Sequence, residues 1–331
     1  MNHANPNRTG EQARNVEIAL RFKQTQGKPE MPQVEKEVLA PNYDRVRGGN
    51  LHLAANARDQ GWPHPALYLR AAFPDRVDVI EQVIADGDRV GLLFRVTGTH
   101  TGNFFGIPPT GKRVDVYEVA LLRIVNGQMV EGWFMMDEAE LLRQLGAKLP
   151  PRADGKLAPP ALPKTEDAAT FVKKLKEQIK NTVQTAQDRN RLTAARTRLS
   201  TQAKEGLAAG HRNLRHGFRH TREFSLKHGH GELNLDAAFS DRRYGIDVLL
   251  AEGRQVWMRF NVGGTHGGPF CGIAPTGAKM GVNAVSILNF NDSGEITGTW
   301  TFADELGVLL QLGRPNLLLE EFHYSFSRCL P

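Results

Sequence analysis

The sequence predicts an α+β protein built from two tandem copies of one domain, each a curved antiparallel sheet wrapped over helices. Three observations carry that prediction. The stretch GTHTGNFFGIPPTG at 98–111 returns as GTHGGPFCGIAPTG at 264–277, a constant offset of 166, and 13 of the 25 positions from 98 to 122 are identical without a gap. A repeat spaced this widely is a duplicated domain, since solenoid units run to only ~20–50 residues. Each copy then follows one order of signals: helical periodicity, β-branched segments divided by turns, and a short capped helix. The length of 331 residues also fits two domains at about 150 residues each.

In the first copy, 11–25 and 31–40 read as helices. Residues 75–84 form a segment rich in Val and Ile, as strands are. Asp86-Gly87 turns the chain into a strand near 89–99, and a Gly/Pro-rich loop over 100–112 leads to a third at 113–125. Asn126-Gly127 is a strong hairpin signal, followed by a strand over 128–136. Asp137 then caps a short helix, with Glu140 three residues on and Gly146 just past its end. The second copy repeats this with strands near 243–251, 255–265, 279–290 and 295–303 and a helix from Asp304 to about 312. Upstream of those, 166–208 reads as a long helical region, with Val172, Leu175, Ile179 and Val183 at helical spacing and a break near Asp188-Arg189-Asn190. The predicted domains are 1–147 and 166–331, joined by a linker over 148–165 in which Lys148 to Pro163 carries five prolines.

Composition narrows the function classes. No run of ~18 apolar residues is present, so no membrane span is expected. Residues 1–14 are polar and lack the apolar core of a signal peptide. With two cysteines, Cys271 and Cys329, neither a disulfide framework nor a cysteine-built zinc site is expected, and a cytoplasmic location follows. The net charge of +6 is concentrated in 152–228, where 17 Lys plus Arg face 7 Asp plus Glu. That block could contact an anionic partner, but a solvated helical face explains it more simply, and nucleic acid is not expected as a partner. His216 and His220 are four residues apart, too few ligands for a metal site, so no metal is expected. No phosphate loop, dinucleotide fingerprint or serine-hydrolase elbow occurs, and no cofactor is expected.

Several blocks together carry a family resemblance: Ala72-Phe73-Pro74-Asp75, Gly98-Thr99-His100-Thr101-Gly102, the stretch 106–111, Arg123-Ile124-Val125-Asn126-Gly127 and Leu142-Arg143-Gln144-Leu145-Gly146. In these blocks the chain resembles the SnoaL-like polyketide cyclases, or ester cyclases, over about 30–147 and more weakly over about 230–314. The resemblance implies the cone-shaped, cystatin-like α+β barrel of the nuclear-transport-factor-like and ketosteroid-isomerase-like superfamily. It also implies a small hydrophobic carbonyl compound as ligand, aldol ring closure as chemistry, and self-association, here as a homo-oligomer or an internal pseudo-dimer. The family's last strand reads Glu-His-Trp-Asp, the Asp being the acid/base. Here the strand reads Glu131-Gly132-Trp133-Phe134 in one copy and Gly298-Thr299-Trp300-Thr301 in the other. Phe134 and Thr301 therefore stand where the family places its carboxylate, and Gly132 and Thr299 where it places a histidine.

The candidate acid/base residues are those both copies keep. His100 and His266 end a strand at the Gly-rich loop, near the expected cavity mouth, and each either moves a proton or holds the loop by a hydrogen bond. Asp137 and Asp304 are either acid/bases displaced to the rim or helix N-caps. Candidate ligand contacts are Phe104 and Phe270 in the loop, Phe134, Met136 and Thr301 on the last strand, and Tyr117 or Glu118 with Asn283 opposite them in copy two. Strand alternation puts one of Tyr117 and Glu118 inward, and an inward Glu118 is expected to have a raised pKa.

Overall fold

A computed structural model describes residues 5–51, 53–148, 162, 164–180, 182, 185–199, 206–215, 218–314 and 317. Contacts divide the chain into two compact units, the first drawing on 1–160 and the second on 161–314. Most of the expected linker 148–165 lies outside the described residues, as do His216 and Cys329.

The first unit begins with α1 (Gly10–Gln24), opened by a capping box in which Thr9 and Gln12 satisfy each other's backbone N–H groups. Val16, Ala19 and Phe22 form its buried stripe at helical spacing, and Lys23 is buried beside them. Next come α2 (Met31–Val38), β1 (Leu39–Arg47), α3 (Leu53–Asp59) and α4 (Pro65–Ala72). The meander follows as β2 (Val77–Asp86), β3 (Arg89–Thr99), β4 (Arg113–Val125) and β5 (Gln128–Met136), closed by α5 (Glu138–Leu145). Asn126 and Gly127 both take positive φ, 52° and 78°, which is the backbone of the tight turn between β4 and β5.

The sheet runs β1-β5-β4-β3-β2. The sequence predicts a purely antiparallel four-stranded meander, and the structure adds β1, paired in parallel to β5 with Arg45 opposite Gly132 and Arg47 opposite Phe134. This strand arrives from about ninety positions upstream, and its residues Asp44, Arg45 and Arg47 replace the apolar alternation that announces a strand. A bulge in β2 between Ile80 and Gln82 bends the sheet.

The second unit contains β6 (Glu166–Asp167), α6 (Ala168–Lys180), α7 (Ala186–Arg196), β7 (Leu207–Arg215), α8 (Arg219–Lys227), α9 (Leu235–Ala238), β8 (Arg243–Glu252), β9 (Gln255–Thr265), β10 (Lys279–Phe290), β11 (Ile296–Ala303) and α10 (Glu305–Gln311). Its sheet, β6-β8-β9-β10-β11-β7, again adds a parallel strand beside the last strand of the meander, β7 on β11. Of the long helical region expected over 166–208, the described residues form two helices, α6 and α7, while 166–167 are β6 and 207–208 open β7. The break falls before Ala186, where Thr185 caps α7, rather than near Asp188-Asn190; Asp188 instead completes the capping box. A core of Ile246, Val256, Met258, Phe260, Ala284 and Leu288 joins β8, β9 and β10, with Val172 of α6 and Ala194 of α7 packed into it.

Candidate functional site

In the first unit the sheet and its helices border a hollow open to solvent, about 610 Å³ when the solvent at its mouth is counted and about 40 Å³ as room for the centre of a water-sized sphere. Leu51, Leu69, Phe73, Val114, Met136 and Leu141 supply apolar wall, and Lys23, Arg45, Arg47, Arg76 and Glu118 supply charge.

The charged side chains form one network on the inner face. Lys23 Nζ projects from α1 to Asp78 at 3.0 Å and Glu118 at 3.9 Å, and lies 3.9 Å from the centre of the Phe94 ring. Arg76 grips Asp78 with two hydrogen bonds, Nε to Oδ1 at 2.9 Å and Nη2 to Oδ2 at 3.2 Å. Arg47 Nη1 donates to Glu118 Oε1 at 2.5 Å. Glu118 and Asp78 are almost wholly enclosed, so each carboxylate depends on its cations.

Glu118 is the inward member of its pair. Burial pushes its pKa up, but Arg47, Lys23 and Arg76 outweigh burial and hold the carboxyl below its ordinary value. The expectation of a raised pKa is thus corrected: it considered the apolar walls and not the cations brought in by α1, β1 and the start of β2. Asp78 is lowered in the same way, burial being overcome by Arg76 and Lys23. Lys23 is lowered, burial exceeding the pull of Asp78 and Glu118. A carboxylate held below its usual range is a weak proton acceptor at neutral pH. Tyr117 takes the other face of β4, where its pKa is raised by burial and by Glu81.

The positions of the family's His and Asp are both filled. A Cβ on Gly132 would lie 2.1 Å from the Tyr43 hydroxyl, so Tyr43 occupies that space, and burial pushes its pKa up to about 12. Phe134 is fully buried against Phe22 (ring centres 6.3 Å apart), with the Arg45 guanidinium 5.1 Å above its ring. Phe134 does not border the cavity; it supports the cations that do. Met136 and Phe104 do border it.

His100 and His266 have the same surroundings in the two units. Each is fully buried under its Gly-rich loop and does not stand at a cavity mouth. His100 Nδ1 lies 3.1 Å from Thr110 Oγ1 and accepts from Thr110 N–H at 3.3 Å; for His266 and Thr276 the distances are 3.0 and 3.2 Å. Phe73 and Phe104 pack on one ring, Phe239 and Phe270 on the other. Burial pushes both imidazoles below their ordinary pKa, with the Gly102 and Gly268 backbones opposing. Asp137 and Asp304 accept from the backbone N–H of Glu140 at 3.0 Å and Gly307 at 2.8 Å, the geometry of helix N-caps.

Sequence reasoning passed over Glu138 and Glu305, each next to its cap and fully enclosed. Glu138 accepts from the N–H of Asn50 at 2.6 Å and of Leu51 at 2.9 Å, fixing the segment that supplies cavity wall. Glu305 accepts from Thr221 N–H at 2.6 Å. Burial raises the pKa of both. Their signal was present: Asp-Glu stands at 137–138 and again at 304–305.

The second unit has changed the same positions. Tyr244 and Ala284 stand where the repeat places Asp78 and Glu118. Arg198 lies over the Phe260 ring at 4.4 Å and donates to Ser286 Oγ at 3.1 Å. Thr301 pairs with Ser286 at 2.8 Å and Thr299 with His211 at 2.9 Å. Asn283 is buried, and its carbonyl accepts from Asp304 N–H at 3.1 Å. Cations of the basic block are braced by nearby acids: Lys174 by Glu166, Arg191 by Asp188, Arg222 by Glu232. No described helix is long and apolar enough to cross a membrane.

The family model for SnoaL-like polyketide cyclases matches residues 61–145 and 231–312, one match in each unit. The chain belongs to the SnoaL-like polyketide cyclase family. Within it, nogalonic acid methyl ester cyclase of Streptomyces nogalater is 28% identical over 115 residues, covering 34% of this chain and 84% of that protein. Aklanonic acid methyl ester cyclase DauD of Streptomyces sp. (strain C5) is 33% identical over 104 residues, 31% of this chain and 65% of that one. Among solved structures, a SnoaL-like polyketide cyclase from Jannaschia sp. CCS1 is 27% identical, covers 43% of this chain and 97% of its own, and has a TM-score of 0.37. AclR from Streptomyces galilaeus is 29% identical over 41% of this chain, with a TM-score of 0.35.

Proposed function

We propose that the first SnoaL-like unit binds a small hydrophobic carbonyl compound in its cone and does not close rings by the family's route. The observation carrying this reading is Phe134, a buried ring at the position of the family's acid/base, beneath a cavity that remains open. Glu118 does not replace the missing group, since its carboxyl is held ionised by Arg47 and Lys23. Both retained histidines are enclosed and tied to threonines, which supports a structural role. Met136 and Phe104 are the proposed ligand contacts on the last strand and loop.

The test pairs calorimetry with a turnover assay on the full chain. Methyl anthraquinone-2-carboxylate is expected to bind wild-type protein and to lose binding in Leu69→Arg, which places a charge in the apolar wall. Nogalonic acid methyl ester, the compound for which the Streptomyces nogalater relative is named, is expected to remain unchanged over hours with the protein. Ring closure of that ester above the uncatalysed rate, or no binding of the probe, ends the reading.

A further inference from the structure

The cone's charge does not balance. Lys23, Arg45, Arg47 and Arg76 border the cavity, facing the carboxylates of Asp78 and Glu118. These four cations differ in how fully they are partnered. Arg76 is committed to Asp78, and Lys23 to Asp78 and Glu118. Arg45 has no hydrogen bond or ion pair among the described residues; it lies over the face of Phe134 at 5.1 Å and acts on the Tyr43 hydroxyl through its charge. Arg47 gives one end of its guanidinium to Glu118, while its Nε–H is buried with no partner. These two arginines are two residues apart on β1, so strand alternation puts them on one face.

Unmet guanidinium N–H groups bordering an apolar space match one chemistry well. A planar carboxylate accepts a guanidinium's parallel donors two at a time, which an ester cannot do with full charge. Resting on the reading that this cone binds a ligand, we propose that the guest is an amphipathic carboxylic acid. Its carboxylate is seated on Arg45 and Arg47 and its apolar body lies along Leu69, Val114, Met136 and Leu141. The second unit supports the assignment by contrast. In β7, paired to β11 as β1 is to β5, the position matching Arg45 is Asn213, so the sequence of the second unit places no cation at that position.

The experiment titrates the full chain with anthraquinone-2-carboxylate and with its methyl ester, by calorimetry at neutral pH. Wild-type protein is expected to hold the acid about tenfold or more tighter than the ester, as a charge-assisted pair warrants. Arg45→Gln is expected to remove that preference by weakening the acid about tenfold and leaving the ester unchanged. Arg47→Gln is expected to act in the same direction; because it also releases Glu118, Arg45→Gln carries the test, with far-UV circular dichroism confirming its fold. Equal binding of acid and ester, or an unchanged acid affinity in Arg45→Gln, overturns the proposal while the binding reading stands. If neither compound binds, both fall.

Discussion

The two cones share a frame and differ in what fills it. Their loops match closely: Thr99 is held by Asp75 at 2.6 and 2.7 Å, and Thr265 by Asp241 at 2.6 and 2.8 Å. Phe105 and Cys271, equivalent in the repeat, both take a left-handed φ of about 50°, at 53° and 49°. The interiors diverge. Where the first unit buries Asp78 and Glu118 among cations, the second places Tyr244 and Ala284, with Arg198 over aromatic rings. Duplication has thus preserved the backbone geometry of the loop while leaving the concave face free to change. A retained residue in this pair reports on the frame, and a divergent one on what fills the interior.

That contrast can be broken most forcefully at Glu118. Glu118→Ala, which copies Ala284, leaves Lys23 and Arg47 without their shared carboxylate and is expected to cost about 3–5 kcal/mol. Urea denaturation measures it, and a loss under about 1 kcal/mol would show the network to be dispensable. Phe134→Thr, which copies Thr301, empties a fully buried ring site and is expected to cost about 3 kcal/mol, read as a lower melting temperature. Thr301→Phe in the second unit overpacks a site built around Ser286 and is expected to cost about 1–3 kcal/mol.

Smaller effects test the shared frame. Thr110→Val and Thr276→Val each remove one hydroxyl partner from an enclosed histidine and are expected to cost about 1 kcal/mol apiece. Unequal losses would mean that the two loops are not equivalent. The smallest effect is a pH dependence. Burial lowers the folded pKa of His100 and His266, so unfolded chains bind protons more readily. Stability from this source is present above the ordinary value of 6.5 and is lost as pH falls from there toward the folded value. His100→Gln is expected to flatten the decline in melting temperature below that pH, and a slope unchanged by the substitution would contradict it.

The meander was legible because turn chemistry delimits it: strands expected at 113–125 and 128–136 are β4 and β5 to the residue, with Asn126-Gly127 between them. The family blocks named the fold for the same reason, since they fall on the Gly-rich loop, the β4–β5 turn and the ends of α4 and α5. The fifth strand was not legible. Periodicity detects apolar burial, and β1 carries arginines into the cone under cover of ion pairing and stacking. Lys23 escaped notice for the same reason, as a charged residue on an apolar stripe whose partners lie on β2 and β4. Glu138 was overshadowed by Asp137, because an N-cap is read from local spacing while the N–H groups of Asn50 and Leu51 come from a distant segment.

The loop that makes this lineage recognisable is held by sterics that do not depend on chemistry. A Cβ at Gly102 would stand 2.1 Å from the Ala71 carbonyl oxygen, and one at Gly268 would stand 2.2 Å from that of Ala237. Any bulkier residue there is rejected by sterics, whether or not the cup beneath performs a reaction. A genome survey built on that motif therefore counts scaffolds, and the number of catalysts among them has to be established by inspecting what lines each hollow.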